Sequence, residues 1–93
     1  MALRIFGIER STGEYEGNHY DKWVFHVIDE ERSSRAFAGE VAAAKPVKVK
    51  VSQLGDVFGG FVQNDADLRS LIGSRIIVFY DQYKNPMKID VLD

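Results

Sequence analysis

The amino-acid sequence predicts an all-β domain with one short helix, on three observations. Residues 17 to 29 form a run of aromatic, β-branched and polar residues suited to a pleated strand. Residues 46 to 52 (Pro-Val-Lys-Val-Lys-Val-Ser) alternate cleanly, Val47, Val49 and Val51 on one side and Lys48 and Lys50 on the other. The C-terminal segment reads as two further strands joined at Asp81–Pro86, with only a short helical pattern before them.

Each element follows from its residues. Residues 2 to 10 form a first strand whose alternation slips, Leu3 and Ile5 in one phase and Phe6 and Ile8 in the other. Gly7 beside the slip marks a bulge or sharp bend. Residues 11 to 18, polar with Gly13 and Gly17, suit a long hairpin loop. In the strand that follows, Trp23, Phe25 and Val27 share an apolar face, and Tyr20, Lys22, Val24, His26 and Ile28 share a mixed, half-exposed one. Asp29 to Arg35 is loop-like. Arg35 to Ala44 has helix-forming residues stopped by Pro46, which predicts an irregular, flap-like excursion. Gln53 to Phe61 holds Gly55, Gly59 and Gly60, compatible with a short turn or helix capped by Ser52. Residues 65 to 73 are the better helix, capped by Asn64 or Asp65, with Leu68, Leu71 and Ile72 on one face and Gly73 at its end. Strands over 74 to 80 and 87 to 92 complete the set. A closed or nearly closed five-stranded, OB-like barrel is the compact way to hide the edges of such strands.

Composition narrows the chemistry. The 93 residues fit a single domain. No Cys is present, which excludes disulfides and Cys-ligated metal, and two His are too few for a convincing metal cluster. No apolar run reaches the roughly 20 residues of a membrane span, and no signal-peptide pattern opens the chain, so the expected setting is cytoplasmic. A formal charge of −2 weighs against nucleic-acid binding overall but permits a local basic stripe.

One constellation carries chemistry: Tyr20, Lys22 and His26 on one strand face, Lys48 and Lys50 on the next strand, and Tyr83 and Lys84 at the last hairpin. Rings that stack bases, interleaved with cations that follow phosphates, are the means of binding single strands. The same residues also suit an ordinary exposed sheet surface, because Tyr favours strands and Lys guards edges. Trp23, Phe25, Phe6 and Phe79 fall on apolar phases, and most of them are expected in the core. His26 reads as a surface or hydrogen-bonded imidazole. Asp29, Glu30 and Glu31 beside Arg32 and Arg35 read as a solvated charge run. Gly55-Asp-Val-Phe-Gly-Gly matches neither the dinucleotide nor the P-loop pattern. No nucleophile–base motif or cofactor fingerprint occurs, so no enzyme and no cofactor is expected.

The runs Gly17-Asn-His-Tyr20-Asp, Val27-Ile28-Asp29, Pro46-Val-Lys-Val-Lys50-Val and Ile76-Ile-Val-Phe-Tyr80…Tyr83…Met87-Lys-Ile-Asp90-Val-Leu92 resemble the filamentous-phage single-stranded-DNA-binding, or helix-destabilising, proteins. The resemblance implies an OB-like homodimer of phage or mobile-element origin that coats single-stranded DNA during replication. Tyr20 then matches a stacking tyrosine, Lys50 a lysine closing the third strand, and Tyr83 lies near a hairpin-tip aromatic. This chain differs in Lys45 before the proline, in extra residues between 52 and 73, and in Glu14 and Glu16 where that family is basic. Single-stranded DNA, or else RNA, is therefore the expected partner. A protein-interaction barrel that binds no nucleic acid is the alternative.

Overall fold

The computed structural model describes residues 2–39 and 44–92. Five strands form one antiparallel sheet: β1 (Leu3–Tyr15), β2 (Asn18–Asp29), β3 (Val47–Lys50), β4 (Arg75–Tyr80) and β5 (Pro86–Val91), in the order β3-β2-β1-β4-β5. Three short helices join them, α1 (Glu30–Ser33), α2 (Leu54–Val57) and α3 (Asp65–Arg69), with a 3-10 turn at Val51–Gln53 ahead of α2. The outer strands β3 and β5 approach one another without pairing, and α2 packs against both. The result is an OB-like small barrel with an open seam, where the sequence also allowed full closure.

The inner face follows the apolar phases. Ile5, Phe25, Val27, Val47, Val49, Ile76 and Ile89 bury together under Val57, Phe58, Val62, Leu68 and Leu71 from the segment between β3 and β4. The Phe25 and Phe58 rings meet edge to face at 5.6 Å, the geometry their quadrupoles favour. Between Ile5 and Gly7 the β1–β2 register shifts, which leaves Phe6 as the extra residue of the expected bulge.

Several expectations are corrected. The segment 11–18 is not a loop: β1 runs on to Tyr15 and β2 starts at Asn18. Glu16 and Gly17 both take positive φ, 50° and 80°. That is the two-residue hairpin turn whose twist matches the flanking strands, so it can continue the ladder through a polar stretch. Beyond Lys22, where β3 ends, the hairpin is paired only with itself and projects as a ribbon. Phe6 and Phe79 are not core. Phe6 is turned out by the bulge and is 49% exposed, while Phe79 lies on the outward phase of β4 and is 42% exposed. Conversely Val24 and Ile28, on the mixed face of β2, are buried. Their ladder neighbours Glu9, Lys48 and Arg4 carry long stems that can shield them.

The charge run after β2 is a helical turn. The Asp29 side chain accepts from the amides of Glu31 and Arg32, and Glu30 pairs with Arg4 at 3.0 Å. Of the excursion expected over 35–44, residues 40–43 lie outside the described residues. Helix α2 starts without any side-chain cap, so Ser52 does not serve as one. Asn64 does cap α3, accepting from the Asp67 amide at 2.8 Å. Helix α3 stops at Arg69, short of the expected 73, and Ile72 is exposed where Leu68 and Leu71 are buried.

Candidate nucleic-acid interface

The β2–β3 ladder decides which predicted site residues meet. It pairs Lys22 with Lys50 and Val24 with Lys48, so all three lysines project from the outer face at the β3 edge. Lys48 and Lys50 make no ion pair with any described residue. Like charges set directly opposite on neighbouring strands repel, which is an arrangement that a bound anion would relieve.

Tyr20 extends this face into the ribbon. Its partner in the ladder is Gly13, and its ring lies across that glycine so closely that a Cβ there would sit 2.6 Å from the hydroxyl oxygen. Gly13 thus gives the ring a flat bed. Lys22 Nζ stands 5.8 Å from the ring centroid, within cation–π range. The ring remains 37% exposed.

The neighbouring carboxylates are already engaged. His26 Nε2 donates to Glu9 Oε1 at 2.7 Å, so His26 is tied within the face beside the Phe6 ring, 6.2 Å away. Asp21, on the opposite phase from Tyr20 and Lys22, accepts two bonds from Arg10, at 2.9 and 2.6 Å. That hydrogen-bonded guanidinium holds the Asp21 carboxyl below its usual range, and Asp21 in turn raises Arg10.

Tyr83 and Lys84 do not join this cluster. Strand β4 pairs with β1 only at Leu3 and Arg4 and then runs past the N-terminal end of β1, away from the β1–β2 turn. At about 3.3 Å per residue, the stretch of β1 from Leu3 to Gly13 alone spans about 30 Å. Tyr83 and Lys84 sit at the opposite end of the sheet, in a turn built on Asp81, whose carboxylate accepts from the amides of Tyr83 and Asn85.

Sequence reasoning passed over the other side of the same strand. Trp23, expected in the core, packs against it while remaining partly exposed, and it lines an open cleft of about 800 Å³ between β1, β2 and the segment from Val51 to Leu68. Arg10 lies over its ring, 5.5 Å from the centroid. The signal for this was weak: only the true register places Arg10 beside Trp23.

No family model, curated protein or solved structure matches this chain. Among the described residues no group of His, Asp and Glu could hold a metal ion, and no helix is long and apolar enough to cross a membrane.

Proposed function

We propose that the chain binds single-stranded DNA on the outer face of β2 and β3, as a binding module without catalysis of its own. The observation that carries this reading is the cross-strand pair Lys22–Lys50, with Lys48 beside it and the Tyr20 ring along the same face. A phosphate backbone along these lysines would offset their repulsion, and bases could stack on Tyr20. Such stacking contributes ~1–3 kcal/mol per base, so a single ring needs the lysines beside it for useful affinity. Recognition through the backbone and the π-face carries little sequence information, and preferential binding to the open strand destabilises duplex passively. The resemblance to the phage helix-destabilising proteins points the same way and adds a homodimer and a replication setting to the proposal. RNA would satisfy the same contacts.

The competing reading is a protein partner. It draws on Phe6 and Phe79, apolar rings exposed on the outer face of β1 and β4. Fluorescence titration with poly-dT at low and moderate salt, on wild type and Tyr20→Ala, separates the two. Saturable binding weakened by salt and by the substitution is expected. No binding at low salt would leave the protein partner as the reading to pursue.

A further inference from the structure

Tyr20, Lys22, Val24 and His26 occupy successive outward positions of β2, and the ladders on either side complete four rows across the sheet. Lys50 stands opposite Lys22 and Lys48 opposite Val24, so two rows carrying positive charge lie between a ring at each end. Val24 is itself buried. On β1 the four rows continue as Gly13, Ser11, Glu9 and Gly7. Three of these are small, which leaves a shallow floor along the face. Glu9 is the one acid in the four rows, and its Oε1 is engaged by His26 Nε2 at 2.7 Å.

The far end of this floor holds a second exposed ring. Phe6, the extra residue of the bulge, lies beside the His26 imidazole, with centroids 6.2 Å apart and planes tilted by 51°. A bulge re-aims a side chain, and here it sets a phenyl ring on the outer face with 49% of its surface open. The rings thus flank the lysines: Tyr20 is one outward step beyond the Lys22–Lys50 row, and the His26–Phe6 pair one step beyond the Val24–Lys48 row.

Spacing and charge together select the occupant. Each outward step along β2 advances about 6.6 Å, roughly twice the 3.4 Å rise per nucleotide of a stacked strand. A single strand stretched along β2 therefore brings one nucleotide to each row, its phosphates passing the lysines and its outermost bases reaching the rings. An apolar partner on Phe6 would leave the lysines beside it without counter-charge, whereas a polyanion that bears flat rings complements both. On the nucleic-acid reading above, we infer that Phe6, braced by His26, is a second base-stacking platform, and that with Tyr20 it bounds a site of about four nucleotides. That length lies within the range OB folds cover. Phe79, also exposed on the outer face, belongs to β4 on the other side of β1 and stands off this line, which makes it the control.

Fluorescence anisotropy with labelled dT oligonucleotides of increasing length tests the platform. Wild-type affinity should climb to about four nucleotides and change little beyond. Phe6→Ala should weaken the four-nucleotide strand by about fivefold to a hundredfold, the loss of one stacked base, and Phe6→Tyr, which keeps a ring, should bind as wild type does. Phe79→Ala should have no effect. Ultraviolet crosslinking of the wild-type protein to dT requires no variant to fold and should place adducts on Phe6 or His26 as well as on Tyr20. Adducts on Tyr20 alone, or an equal loss in Phe6→Ala and Phe79→Ala, would overturn the platform. Poly-dT binding that Tyr20→Ala weakens and Phe6→Ala leaves intact removes the platform and keeps the strand reading. No binding of any strand at low salt removes both.

Discussion

Lys22 faces Lys50 across the β2–β3 ladder, and among the described residues no carboxylate bridges them. Like charges set directly opposite are unfavourable in the free protein, and under the proposed function a phosphate would relieve them. Lys50→Glu should therefore stabilise the free chain by roughly 0.2–1 kcal/mol, the worth of an opposite-charge cross-strand pair, while abolishing strand binding. Urea denaturation alongside poly-dT titration checks both halves. A variant that loses stability and keeps affinity would contradict the role given to this pair.

Under the proposed function, three lysines on phosphates would set a salt dependence. For a single strand, log K should fall with log salt at a slope of about 2, since each neutralised phosphate contributes roughly 0.7. Lys48→Ala should flatten the slope by about 0.7. Lys84→Ala, at the far end of the sheet, should leave the slope as it is.

Gly13 supports Tyr20 at close range. A methyl group at Gly13 would meet the ring at 2.6 Å from its hydroxyl oxygen, so Gly13→Ala must displace the ring. Because this part of the ribbon is paired only with itself, the melting temperature should change little while poly-dT affinity drops toward that of Tyr20→Ala. Circular dichroism and the titration together test this.

The Arg10–Asp21 pair predicts an acid response. Its hydrogen bond lowers the Asp21 pKa on folding. The sign follows: the contribution is complete above the unfolded aspartate pKa and disappears as pH falls through the lower, folded value. Arg10 is exposed and Asp21 only partly buried, so the effect should be small. A carboxyl-detected NMR titration should find Asp21 below the other aspartates, and Arg10→Ala should return it to their range.

Phe25 is fully buried at the centre of the core. Phe25→Ala should cost about 3–5 kcal/mol, a large part of the stability of a domain this size. Phe79→Ala, on the outer face, should cost far less. Denaturant midpoints of the two variants make the comparison.

The alternation of Val47 and Val49 against Lys48 and Lys50 was legible because a period of two leaves no other assignment for a half-buried strand. The same period grouped Tyr20 and Lys22 on one face. What the sequence hid depended on register and turn geometry. Glu16 and Gly17 do not look like a hairpin turn beside so many polar residues, so the ribbon read as a loop. Phe6 and Phe79 are apolar by composition, and only the bulge and the short β1–β4 ladder turn them outward. Tyr83 and Lys84 match the chemistry of the lysine face, but the direction of β4 takes them elsewhere. Trp23, assigned to the core by phase, does pack against the core, but one side of it borders a cleft that the alternation alone does not reveal.

The β1–β2 ribbon also orders the folding of the chain. Its turn at Glu16 and Gly17 joins residues adjacent in sequence, so little loop entropy opposes the first pairings. The contacts of Leu3 with Ile76 and Arg4 with Arg75 must instead enclose more than seventy residues of chain. Substitutions near the turn should accordingly slow folding, and those at Ile76 should mainly speed unfolding. Such rates would make the projecting ribbon the nucleus on which the rest of the sheet assembles, with the β1–β4 pairing the last to close.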